Sequence, residues 1–87
     1  MVAQVIEPNA GWDVANKITM SGETQGYLSN TGSKTLRWTT TMSDVLPSLA
    51  IARAHQISAG ADGKPMTMND GERLWLVGDG AFGTWET

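Results

Sequence analysis

The stretch Leu74-Trp75-Leu76-Val77, preceded by Asp70-Gly71 and followed by Gly78-Asp79-Gly80, constrains the fold of this chain more than any other feature. Arg73 to Val77 is too short and too tightly bracketed by turn residues for a helix, so it reads as a strand. A half-buried strand alternates apolar and polar residues, whereas this one is apolar on both faces. Both faces must therefore be covered, one by a facing sheet and the other by something else. In a chain of 87 residues that second cover is either the N-terminal segment or a neighbouring subunit, because so short a chain builds only one thin core.

The rest of the chain carries the same β signature. In Lys34 to Thr41, Leu36, Trp38 and Thr40 share one face, and the polar Thr35, Arg37, Thr39 and Thr41 share the other. Gln25 to Ser29 precedes it across Asn30-Thr31-Gly32-Ser33, a turn sequence that predicts a hairpin. Gly78-Asp79-Gly80 predicts a second hairpin between Arg73–Val77 and the returning Ala81–Glu86. Ile18–Met20, His55–Ser58 and Met66–Met68 read as shorter strands. Residues 43–55 carry Ser43 and Asp44 as cap residues and Pro47 in a first turn, which suggests a short helical or extended crossover. Turns at Gly32, Gly63, Gly71 and Gly80 at short intervals predict an all-β fold, a small antiparallel β-sandwich or barrel over residues 17–87.

Residues 1–16 read as an extended N-terminal arm. Pro8, Asn9 and Gly11 break any periodicity, yet Val2, Val5, Ile6 and Trp12 are apolar. Such an arm either packs back on its own domain or grips a partner. The segment lacks the basic start and long apolar run of a signal peptide.

Charge and composition narrow the function. Six Lys and Arg stand against nine Asp and Glu, and residues 44–87 carry the whole acidic excess. A chain of net charge −3 without a basic run is poorly suited to covering phosphates, so no nucleic-acid partner is expected. No apolar run approaches the roughly 20 residues that span a bilayer, so no membrane partner is expected either. Cysteine is absent, which removes disulfides and thiolate metal sites. One histidine, His55, and no Gly-x-Ser-x-Gly leave a hydrolase triad or a zinc set without support. Asp70, Glu72 and Asp79 offer paired carboxylates, but beside glycine they are ordinary turn residues. No enzymatic activity, metal or cofactor is expected.

Trp12, Trp38, Trp75 and Trp85 are the unusual component, in a chain with one Phe and one Tyr. Trp38 shares its face with Leu36 and belongs to a core. Trp75 lies on the doubly apolar strand. Trp12 and Trp85, near the termini, are candidates for presentation to a partner, since tryptophan is enriched at interface hot spots. The expected interface therefore comprises Val2, Val5, Ile6, Trp12, Trp75 and Trp85.

Gly26-Tyr27-Leu28-Ser29-Asn30-Thr31-Gly32-Ser33 leads into Leu36-Arg37-Trp38. A Pro-containing crossover follows, then Gly63-Lys64-Pro65-Met66, and finally Asp70-Gly71-Glu72-Arg73-Leu74-Trp75-Leu76-Val77-Gly78. Over roughly residues 23–86 this order of parts resembles the short β-domains of structural proteins in tailed bacteriophages, including capsid decoration (cement) proteins and head or tail-fibre modules. The resemblance implies a virion component on the capsid surface, made in the host cytoplasm. It would bind the major capsid protein, as a homotrimer, through an N-terminal arm and the rim of the β-domain. A tail-fibre or carbohydrate-binding module that presents its aromatic residues to glycans is the alternative.

Overall fold

The computed structural model describes residues 3–61 and 63–87. Among the described residues, eight strands, all paired antiparallel, form two four-stranded sheets that face each other. They are β1 (Ala3–Ile6), β2 (Lys17–Thr19), β3 (Thr24–Asn30), β4 (Leu36–Thr41), β5 (His55–Ile57), β6 (Lys64–Met68), β7 (Arg73–Val77) and β8 (Gly83–Glu86). One sheet runs β1-β8-β3-β6 and the other β2-β7-β4-β5. Single 3-10 turns at Val14–Asn16 and Ile51–Arg53 complete the regular structure among the described residues. The all-β sandwich expected from turn spacing and alternation is present.

The core lies between the sheets. Leu28, Leu36, Trp38, Leu74, Leu76 and Trp85 meet there with Ile18, Met20, Ile57 and Met68. Alternation explains the contributions: β3 buries Leu28 and Asn30, and β4 buries Leu36 and Trp38. Gly26 is required opposite Trp85, because a Cβ there would sit 2.5 Å from the indole Cζ2. Pro65 lies on β6, an outermost strand, where a missing backbone donor costs the ladder least.

Over residues 17–87 the strands lie where expected, but two of their pairings do not. β3 and β4 flank Asn30–Ser33 yet belong to different sheets, as do β7 and β8 around Gly78–Gly80. Both expected hairpins are corners at which the chain passes from one sheet to the other. Alternation reports which face of a strand is buried, and that face is the same whether the next strand lies beside it or across the core. Among the described strands, the one connection that joins neighbours within a sheet is the long segment between β4 and β5.

The corners are bonded to one another in pairs. Thr31 N–H donates to Phe82 O at 2.9 Å and Ser33 N–H to Gly80 O at 3.1 Å. A Cβ on Gly32 would lie 2.6 Å from Gly80 O, so the two corners touch backbone to backbone. At the other end of the sandwich, Met20 N–H donates to Glu72 O and Gly71 N–H to Met20 O. Asn30 holds the first pair together from inside. Its buried amide donates to Lys34 O at 2.7 Å and Ile57 O at 3.1 Å, and its oxygen accepts from Gly32 N–H at 3.0 Å and Phe82 N–H at 3.3 Å.

Of the two placements open to the N-terminal segment, the structure shows the one in which it packs on its own domain. Ala3–Ile6 is a strand of the first sheet, in register with Glu86 to Gly83, because an extended apolar segment next to an open sheet edge satisfies its backbone by pairing. Asn9 O then accepts from Gly78 N–H at 2.9 Å, and the turn Val14–Asn16 packs against β7. Trp75 faces that side. Its indole N–H donates to Thr41 Oγ1 at 2.7 Å, and the Lys17 ammonium lies 5.8 Å from its ring centroid. Leu74, Trp75, Leu76 and Val77 are all buried within the single chain. The second cover of β7 is thus the N-terminal segment, and β7 supplies no motive for self-association.

Candidate functional site

The residues expected to meet a partner scatter once the chain is folded. Val2 lies outside the described residues. Ile6, Trp75 and Trp85 are buried within their own chain, so their area is already removed from water and they are corrected from interface to interior. Trp12 is half-buried, and its indole N–H donates to Leu49 O at 2.9 Å, which ties it to a neighbouring loop. Val5 alone among those described stands well exposed, at 62%.

The exposed apolar side chains gather elsewhere in the sequence. Met42, Val45, Leu46 and Leu49 all face solvent, and they sit in one segment between β4 and β5. Exposure on this scale normally invites collapse onto the core, so the way the segment is held matters. It is held by its carbonyl groups and one carboxylate. Arg73 Nη1 donates to Met42 O at 3.1 Å, Thr41 Oγ1 to Ser43 O at 3.0 Å and Trp12 Nε1 to Leu49 O. Arg37 Nη1 reaches Ala52 O at 3.2 Å. With the backbone anchored from below, the apolar side chains are turned outward.

Asp44 is the polar anchor of this loop. Its Oδ1 accepts from Lys17 Nζ at 2.5 Å and from Arg73 Nε at 2.9 Å. The hydrogen bond from Lys17, and then that from Arg73, hold the Asp44 carboxyl below its usual 3.8. Asp44 is itself well exposed, so the pair orients the loop more than it stabilises the fold.

A second exposed surface is the outer face of the first sheet. Tyr27 projects from its middle, in register with Pro65 on one side and Glu86 on the other. Gln25, Gly26, Tyr27, Pro65, Met66 and Thr67 line an open groove of about 400 Å³. The groove is shallow and carries no charged side chain.

The groups singled out for chemistry have local roles. Asp70 Oδ1 accepts from Gly22 N–H at 2.8 Å and Glu72 Oε1 from Asn69 N–H at 2.8 Å, so both carboxylates cap the corner between β6 and β7 and its bonded neighbour. His55 stacks on Trp38 with centroids 4.4 Å apart. Among the described residues, no group of three or more His, Cys, Asp or Glu is placed to hold a metal ion, and no helix is long and apolar enough to cross a membrane.

Sequence reasoning passed over Met42, Val45, Leu46 and Leu49 because they lack a strand or helix period and read as a crossover. The available signal was the density of large apolar residues in a segment that no regular element could bury. Comparison with known protein families, with curated proteins and with solved structures finds no match to this chain.

Proposed function

We propose that this protein is a virion structural protein of a tailed bacteriophage, a capsid decoration protein that binds the outside of the shell and stabilises it. Its partner is the major capsid protein. The reading rests on the resemblance in the order of its β-domain parts, and one structural observation carries its mechanism: the anchored loop that turns Met42, Val45, Leu46 and Leu49 to solvent. Fully burying a side chain of this kind contributes about 1.5–3 kcal/mol. Association also costs the ordering of whatever is loose at the interface. Here the two ends of the loop are already held, by Arg73 at Met42 and by Trp12 at Leu49, which lowers that cost. This loop takes the role first expected of the N-terminal arm, whose described residues are bonded into the domain.

The test is co-sedimentation with undecorated capsids of a chain carrying Val45→Asp and Leu46→Asp. Binding should fall by about 100-fold, the equivalent of roughly 2.7 kcal/mol, while the unfolding temperature stays within a few degrees. Full binding by this variant rules out the loop, and failure of the unmodified protein to bind any capsid rules out decoration.

One observation favours a carbohydrate-binding module of a fibre as a second reading: Tyr27 is exposed on a flat sheet face, beside the polar side chains of Gln25 and Thr67. An aromatic ring so placed can stack on a sugar. Glycan binding abolished by Tyr27→Ala, with capsid binding absent, would favour this reading over the first.

A further inference from the structure

The four outermost strands are unequal. β6 carries Lys64 and Pro65, two residues that block addition of a further strand. β2 has three residues and carries Lys17, whose ammonium is engaged by Asp44 beside it. β5 also has three residues and runs directly out of the turn Ile51–Arg53. β1 has none of these features. Ala3-Gln4-Val5-Ile6 contains no charge and no proline, and its first three residues are exposed. It is an outermost strand, and no strand among the described residues pairs with its free side, so its outward N–H and C=O groups offer a template for another extended strand.

We infer that β1 pairs antiparallel with β1 of a second copy of this chain, joining two first sheets into one of eight strands. Two features of β1 select a second copy as the occupant. The first is charge. The chain is acidic overall, yet β1 is an uncharged segment, so two copies meet where neither brings a like charge to the ladder. The second is self-complementarity. A two-fold axis through Gln4 sets Ala3 opposite Val5 of the second copy and Val5 opposite its Ala3. All four of these side chains lie on the outer face, so the exposed Val5 gains an apolar neighbour. Antiparallel partners share a face, so Gln4 meets its own copy on the other side of the sheet, where two amides can bond each other. Glu7 stays beyond the central pairs at either end.

The contact is small, a few residue pairs of one edge strand, so the dimer is weak and reversible. Sedimentation velocity of the full chain from about 1 μM to 1 mM should show conversion of the 9.3 kDa species to twice that mass. Val5→Lys places a charge on the edge without touching the core and should raise the dissociation constant by about 10-fold or more. Leu46→Asp, in the loop proposed to bind the shell, should leave it unchanged, which separates this contact from the capsid-binding surface. Amide exchange gives an independent readout: protection of Ala3–Ile6 should rise with concentration. A monomer throughout the range, a dimer insensitive to Val5→Lys, or one dispersed by Leu46→Asp would overturn the inference. So would exchange in β1 that does not vary with concentration in a chain that does dimerise.

Discussion

Two connections leave β3 and β4, and they are built on opposite terms. The corner from Asn30 to Ser33 is polar in sequence, yet its first residue is closed to solvent, and there the Asn30 amide makes four hydrogen bonds. The segment from Met42 to Leu49 is rich in apolar residues yet open, with the carbonyls of Met42, Ser43 and Leu49 bonded and its large apolar side chains in water. The first spends its polar groups on joining two sheets. The second fixes a backbone so that apolar groups stay available. A loop's composition therefore says little about its burial, and the partners of its backbone groups say much more.

The largest effect is expected where the closed corner is broken. Asn30→Ala leaves buried donors and acceptors of both corners without partners, at about 1–3 kcal/mol for each group that water cannot reach. The total should be roughly 3–5 kcal/mol, set against a whole-domain stability of roughly 4–13 kcal/mol. Urea unfolding would measure it, and a loss below 1 kcal/mol would show that the amide is not what joins the corners. Next comes the same strand four residues earlier. Gly26→Ala forces a methyl against the Trp85 ring and should cost about 1–3 kcal/mol by thermal unfolding, with Trp85 fluorescence shifting as the indole moves.

Changes in the open loop should leave the fold nearly intact. Asp44→Ala removes the anchor shared by Lys17 and Arg73, and it should loosen residues 42–49 without a large change in unfolding temperature. Acid should do the same. The folded Asp44 carboxyl titrates below its usual 3.8, so its contribution is present above that value and is lost as pH falls through the lowered one. Amide signals of residues 42–49 followed by NMR between pH 6 and pH 2 should broaden or shift only at the acid end, near and below about 3.8. Movement centred near neutrality would assign the loop's order to something other than Asp44. Smallest of all, Val45→Asp and Leu46→Asp should each change stability by less than about 0.5 kcal/mol, since neither side chain is buried.

Much of the fold was legible in the chain. Alternation in Lys34–Thr41 located β4, and the continuous apolar run located β7 and demanded a cover on both faces. Glycine at turns located the corners. What alternation does not carry is the identity of a strand's neighbour, so a glycine turn predicts a hairpin equally where the chain makes a corner between sheets. The tryptophans show the same limit from another side. Trp85 near the terminus and Trp75 on a doubly apolar strand have the residue type of a hot spot, but the cavity left by Gly26 takes one and the segment before β2 covers the other. The loop at 42–49 was the least legible part, because its exposure depends on distant donors at Trp12, Arg37 and Arg73.

By itself the sequence determined an all-β domain, the faces its strands bury and the places where the chain turns, since these follow from side-chain period and backbone permissiveness within a few residues. Only the tertiary structure decided which strands pair, where the N-terminal segment lies and which apolar residues remain in water. Those outcomes depend on hydrogen bonds between residues as far apart as Asn30 and Phe82 or Trp12 and Leu49, and no local pattern records a bond made across the fold.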